Sequence, residues 1–248
     1  MTDQRPVAPS SERSEGVGRS PSRTVVYLHG FLSSGVSTKA QFFRQRFGTR
    51  ADAAFHALDF NPTPRDFETM TVTGQINRVR QYLLDHDLAG PGAGEAGKEL
   101  TGLIGSSFGG WVGLHYAHRF GGIGRLLLLA PALVSLTGIV SEEEAKQWQD
   151  LGTAPVYHPA FERELPVSYD LHADSLRYLE PVEPAAPTLI IHGRDDEHVP
   201  IDHSRAYAEA FPDDVRLVEV DAGHDLNEHL DLIWEYVVSF LLGGEEPS

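Results

Sequence analysis

The chain has 248 residues, enough for one large domain with an ample core, and it carries a net charge of −16 with no cysteine. The lack of cysteine excludes disulfides and thiol chemistry, and the scattered Lys and Arg exclude a nucleic-acid partner, whose phosphates need clustered cations. No apolar run, Leu126–Val134 included, approaches the ~20 residues of a membrane helix, so no membrane partner is expected.

Residues 1–23 are rich in Ser, Pro, Gly and Arg and hold no apolar core, so a disordered tail is expected there. The tail has no apolar segment of the Sec type, and Asp3, Glu12 and Glu15 argue against a transit peptide. A cytoplasmic protein is therefore expected. The tail carries four Arg against three acidic residues, so the rest is one charge more negative than the whole. That surface mildly disfavours polyanionic substrates such as acyl-CoA.

From Thr24 onward strands and helices alternate. Thr24–Leu28 reads as a buried strand and Ser37–Phe47 as a helix with Ser37 or Thr38 as N-cap. Ala53–Asp59 reads as a strand, and Thr73–Asp87 as a helix, with Ile76, Val79, Leu83 and Leu84 near helical spacing. A surface loop follows at Pro91–Gly97. Leu100–Ile104 is a strand, Phe108–Arg119 a helix and Arg125–Leu129 a strand. About 55 residues, roughly 134–185, then break the alternation and are punctuated by proline. Pro187–Ile191 resumes as a strand, followed by a helix at Asp202–Phe211, a strand at Val215–Val220 and a closing helix at Glu228–Leu242. Residues 243–248 form a short polar tail. Such alternation implies an α/β domain, residues 24–242, whose mainly parallel sheet is covered by helices on both faces.

Three strand ends carry chemistry. Gly105-Ser106-Ser107-Phe108-Gly109 follows an apolar strand and opens a helix, the G-x-S-x-G pattern of a nucleophile elbow. A serine hydroxyl is a poor nucleophile unless a sharp turn presents it to a base, and small residues two before and two after let the turn pack. Ser106 cannot be the centre, because Ile104 and Phe108 would flank it. The elbow's partners come in the order acid, then histidine. Gly193-Arg194-Asp195-Asp196-Glu197-His198-Val199-Pro200 follows one strand and Gly223-His224 the last, each just past a strand's C-terminal end. His29 is expected to brace the turn after the first strand, and His192 to end its strand as a hydrogen-bonded core residue. His229 falls within the closing helix pattern. No HExxH occurs and no dinucleotide fingerprint, so neither metal nor cofactor is expected.

With these motifs the chain resembles the α/β-hydrolase superfamily over roughly residues 24–242. Its acid motif G-x-x-D-x-x-V-P matches with Asp196 in the acid position, and Gly223-His224 matches the histidine motif. The early His29-Gly30-Phe31 turn resembles the one that supplies an oxyanion donor. More closely, His29-Gly30-Phe31, Ser33-Ser34, Ser37-x-Lys39 and Gly105-Ser106-Ser107-x-Gly109-Gly110 resemble the small bacterial esterases of the YqiA type. The resemblance implies an α/β-hydrolase fold with a small cap insertion over the serine, and esterase or thioesterase activity on a small-molecule ester. Ser107, Asp196 and His224 would be the catalytic residues, with the Phe31 and Phe108 N–H groups as the oxyanion hole. Trp148, Tyr157, Phe161 and Tyr169 in the cap are candidate substrate-binding residues. Hydrolysis of short to medium acyl esters leads. An acyl-CoA thioesterase, an acyltransferase, a small peptidase, a cofactor-free haloperoxidase and a carbon–carbon bond hydrolase are the alternatives on the same residues.

Overall fold

The computed structural model describes residues 22–88, 100–133, 140–179 and 182–245. The two tails (but for residues 22, 23 and 243–245) and the whole Pro91–Gly97 loop expected above lie outside them.

Six strands form one parallel sheet in the order β2-β1-β3-β4-β7-β8. They are β1 (Arg23–Leu28), β2 (Ala53–Leu58), β3 (Gly102–Ser106), β4 (Leu126–Leu129), β7 (Thr188–Gly193) and β8 (Val215–Val220). Alternation along each strand sorts side chains between two cores. Val26 and Leu28 join Leu103, Leu126, Leu128 and Ile190 on one face. There they meet α3 (Val72–Asp85) and α4 (Phe108–Phe120). Val25 and Tyr27 join Ile104, Leu127, Leu129 and Ile191 on the other. There they meet α1 (Thr38–Gly48) and the closing helix. A sheet so covered has no wet face, which is why β4 is simply Leu-Leu-Leu-Leu, fully buried. The chain leaves β1 for β2 on one side, and β3 lies on the other. The β1/β3 boundary is therefore a topological switch point, where loops diverge and leave a crevice.

Local signals explain most of the elements. Ser37 caps α1, its Oγ accepting from the Ala40 N–H. Thr71 caps α3 in the same way, through the Gly74 N–H. β3 starts two residues later than the apolar run suggests, because Leu100 bridges Ile123 instead of entering the sheet. The closing segment is not one uniform helix. It runs as a 3-10 turn (Asn227–His229), an α-helix (Leu230–Tyr236) and a π-helical turn (Val237–Leu241). A short helix α2 (Pro64–Glu68) also precedes α3, begun by a Thr63/Asp66 capping box with proline at N1.

The proline-punctuated insertion between β4 and β7 has regular structure. It contains α5 (Glu142–Leu151), a ribbon of β5 (Thr153–His158) paired with β6 (Arg163–Ser168), and α6 (Asp170–Ser175). Pro155 lies opposite Pro166 in the ribbon. A two-stranded ribbon leaves each strand a free edge, where a missing N–H costs nothing. Asp174 ties the insertion to the body, accepting from the Thr73 N–H (2.7 Å) and the Thr73 hydroxyl (2.8 Å) at the start of α3. Negative charge is favoured at that end of a helix. Phe67 of α2 adds an edge-to-face contact with His158 of β5 at 4.6 Å.

Candidate active site

Ser107 sits between β3 and α4 with φ 52° and ψ −118°, a left-handed conformation for a residue with a Cβ. Such a conformation costs of order 1–3 kcal/mol and persists only when its surroundings hold it. Here they do. The Ser107 N–H donates to Leu129 O (2.8 Å), and Ser107 O accepts from the N–H groups of Gly110, Trp111 and Ala132. The flanking glycines are sterically required. A Cβ at Gly105 would stand 2.6 Å from Gly110 Cα, and one at Gly109 2.4 Å from Leu28 O. The G-x-S-x-G spacing thus lets α4 start tight against β1 and β3, lifting the serine side chain out of the sheet.

His224 follows β8, and its ring stands beside Ser107. The Ser107 hydroxyl donates to His224 Nε2 at 3.0 Å, and His224 Nδ1–H donates to Asp196 Oδ2 at 2.7 Å. The tautomer follows from the acceptor: an ionised carboxylate can only accept, so Nδ1 carries the proton and Nε2 is left to accept. Asp196, in the turn after β7, has a fully buried side chain. Its Oδ1 accepts from the His198 and Val199 N–H groups at 2.9 and 2.8 Å. Burial alone would raise its pKa. Hydrogen bonds from His192, His224 and the Val199 N–H outweigh burial and hold the carboxyl well below the usual carboxylate range. The neighbouring Asp195 is exposed, and among the described residues it bonds only through its backbone N–H, to Ala222 O.

One contact was not read from the sequence. His192, wholly buried, places Nε2 3.1 Å from Asp196 Oδ2 and 2.9 Å from Val199 O, while Nδ1 lies 2.7 Å from Ser204 Oγ. Both neighbours of Nε2 are acceptors, so Nε2–H donates and the Ser204 hydroxyl donates to Nδ1. His192 is a core residue, as expected, but it also holds the acid. The only available signal was its four-residue spacing from Asp196 across a tight turn. His229 instead bonds to Asp221 O, away from Ser107.

The loop after β1 closes the other side. A Cβ on Gly30 would lie 3.4 Å from Ser107 Cβ, so this backbone passes directly over the serine. His29 Nδ1–H donates to Gly30 O (2.8 Å), and His29 Nε2 accepts from the Phe60 N–H (2.9 Å). Gly30 O and the Phe31 N–H belong to one trans peptide and point in opposite directions. Pinning the carbonyl therefore aims the N–H. Neither the Phe31 nor the Phe108 N–H makes a backbone hydrogen bond among the described residues. Phe108 is the first residue of α4, so its N–H has no partner within the helix.

These groups open into a cavity of about 1240 Å³ shared by the sheet edge and the insertion. Of the four aromatic residues expected to line it, Trp148 does, and its Nε1–H donates to Val167 O (2.8 Å), joining α5 to β6. The structure places Tyr157, Phe161 and Tyr169 outside the lining. Tyr157 is exposed, Phe161 packs on His158 and Tyr169 on Trp148 and His172. Trp111, Leu151, Val156, Val167 and Leu171 supply the apolar wall instead. Among the described residues no group of three or more His, Cys, Asp or Glu gathers to hold a metal, and no helix is long and apolar enough to cross a membrane.

Residues 24–241 match the model of UPF0227, an uncharacterised protein family. The chain belongs to UPF0227. No curated protein matches it. Among solved structures, this UPF0227 chain is similar to Est1E from Butyrivibrio proteoclasticus with bound ferulic acid. The TM-score is 0.69 at 17% identity, covering 90% of either chain. It is similar to mouse alpha/beta hydrolase domain-containing protein 10, with a TM-score of 0.65 at 21% identity over 85% of this chain and 86% of the other. It is also similar to a monoacylglycerol lipase from Paleococcus ferrophilus, with a TM-score of 0.65 at 18% identity over 89% and 96%. At such identities the likeness shows the fold, and the fold is that of the α/β hydrolases.

Proposed function

We propose that this protein is a serine hydrolase that cleaves carboxylic esters of short to medium acyl chains through an acyl-enzyme intermediate. The observation that carries the reading is the continuous chain of hydrogen bonds from Ser107 through His224 to Asp196. In it, Ser107 Oγ attacks the ester carbonyl while His224 Nε2 takes its proton. Asp196 keeps the imidazole in the Nδ1–H tautomer and stabilises the imidazolium that forms. The carbonyl oxygen becomes an oxyanion between the Phe31 and Phe108 N–H groups. Each such donor is worth roughly 3 kcal/mol of barrier. The positive end of the α4 dipole adds to this. His224 then returns its proton to the departing alkoxide, and water, activated by the same Nε2, attacks the acyl-enzyme.

The apolar wall of Trp111, Trp148, Leu151, Val156, Val167 and Leu171 suits the acyl chain. Est1E and the monoacylglycerol lipase of the same fold support hydrolysis as the reaction class. The test is the hydrolysis of p-nitrophenyl butyrate by the chain and its Ser107→Ala variant. The reading expects turnover that Ser107→Ala abolishes without loss of the folded state. Equal turnover by both proteins would refute it.

A further inference from the structure

The cavity has a second wall with different chemistry. The apolar wall belongs to the core on the α3/α4 face of the sheet, with the insertion laid over it. On the opposite side of Ser107, the loop after β1 and the first turn of α1 contribute Ser33, Ser37, Thr38 and Lys39, and the sheet contributes Tyr27 and Ser106. Tyr27 belongs to the core on the α1 face, so the cavity straddles the sheet edge with Ser107 at the divide. The Ser37-x-Lys39 pair noted in the sequence thus lies in this wall, and the hydrolytic steps above make no use of it.

Among the described residues Lys39 is the one Lys or Arg that lines the cavity. It is half-buried, and among the described residues its ammonium makes no hydrogen bond or ion pair. Desolvation pushes its pKa down, and the carboxylate of Asp225 acts against that from beyond ion-pair range. Ser37 is the N-cap of α1, which puts Lys39 in the first turn, where the helix dipole opposes a cation. Burial and position both disfavour a charge here, and among the described residues no carboxylate forms an ion pair with it. Three acids line the cavity as well, but Glu144, Glu197 and Asp225 are exposed, where solvent screens them. Asp225 is further occupied by Asn227, whose backbone N–H and side-chain amide both donate to it.

A half-buried ammonium without a partner is matched by an anionic ligand group. One cation suits one carboxylate; a polyphosphate would need a cluster of Lys and Arg that this wall lacks. A carboxylate has room for further donors, and the hydroxyl of Ser33 stands in the same wall. Resting on the esterase reading, we propose that this wall is a carboxylate subsite. Lys39 receives a carboxylate carried by the alcohol portion of the ester, while the apolar acyl portion lies against the Trp111/Trp148 wall.

The experiment compares 4-carboxyphenyl butyrate with its methyl ester, which keeps the same ring and butyryl group but replaces the charge with one methyl. The ratio of kcat/KM for the acid to that for the methyl ester is measured for the wild type, Lys39→Met and Lys39→Arg. The ratio is expected to fall about tenfold or more in Lys39→Met, the size of one charge-assisted hydrogen bond, and to be largely kept in Lys39→Arg. A ratio that Lys39→Met leaves unchanged overturns the subsite. Fluorophosphonate labelling of Ser107 and the melting temperature report whether each variant is folded. Should Lys39→Met not fold, the wild type still decides. Free benzoate should compete with p-nitrophenyl butyrate at concentrations about tenfold below those of benzamide, and equal potency overturns the proposal. Failure of the underlying reading looks different, because the wild type would then hydrolyse neither ester.

Discussion

The Asp196→Asn substitution separates an acid that orients His224 from one that merely packs beneath it. The side chain is fully buried, and its two oxygens accept four hydrogen bonds: Oδ1 from the His198 and Val199 N–H groups, Oδ2 from His224 and His192. An asparagine can keep its oxygen facing the two backbone donors. Its NH₂ group then replaces Oδ2 and meets two N–H groups. His192 cannot escape by changing tautomer, since its Nε2–H is also held by Val199 O. His224 can, by moving its proton from Nδ1 to Nε2, but it then no longer accepts the Ser107 proton. The expected loss in kcat is about 10⁴, or about 5.5 kcal/mol of barrier. The donors left unpaired should cost about 1–3 kcal/mol of stability as well. That cost depends on pH with a defined sign. Because the folded-state pKa of Asp196 is depressed, its ionised form stabilises the fold above the unfolded value of about 3.9, and that stabilisation is lost as pH falls further. The stability gap between wild type and Asp196→Asn should therefore be full at neutral pH and shrink below about pH 4. Initial rates on p-nitrophenyl butyrate and urea titrations at pH 7 and pH 3 measure both effects. A variant that keeps more than a tenth of the wild-type kcat would refute the orienting role, and so would Asp195→Asn proving the more damaging change.

Three further outcomes follow from the same geometry. Ser107→Gly should be inactive yet about 1 kcal/mol more stable in urea unfolding, because glycine tolerates the positive φ; a destabilised variant would contradict strain at the elbow. His224→Ala should be nearly inactive in initial-rate assays on p-nitrophenyl butyrate, because Ser107 then has no acceptor for its proton; full activity would move the base elsewhere. Across p-nitrophenyl esters, kcat/KM should climb to roughly C4–C8 and then fall, since each CH₂ adds ~0.8 kcal/mol only while it finds apolar wall; a continued rise to long chains would contradict the small insertion as acyl site.

The residues of the site were legible in the chain where short-range rules are strict. Gly105 and Gly109 are forced by contacts under 3 Å, so the elbow has a spacing that can be read. Asp196 and His224 each follow a strand by a few residues, and strand ends are visible as apolar runs. The six sheet strands were legible for the same reason. The insertion was not, because Pro155 and Pro166 look like loop punctuation until the partner strand is known. Its lining was misjudged in the same way: which face of β5 turns inward depends on how β5 and β6 pair, so Val156 lines the cavity and Tyr157 does not. α2 was missed although Thr63 and Asp66 stand at capping-box spacing, because five residues are too few to show a helical period. The approach of His192 to Asp196, and the presence of Lys39 in the cavity that Ser107 lines, are tertiary facts with no periodic signature.

The central claim is that Ser107 is a nucleophile driven by His224. A fluorophosphonate probe with peptide mapping by mass spectrometry tests it most directly, because only an activated serine reacts at neutral pH. The account predicts a single adduct on the peptide containing Ser107, placed on Ser107 itself. The adduct should be absent from Ser107→Ala and much slower to form in His224→Ala. No adduct, or an adduct on Ser106 that persists in Ser107→Ala, would contradict it.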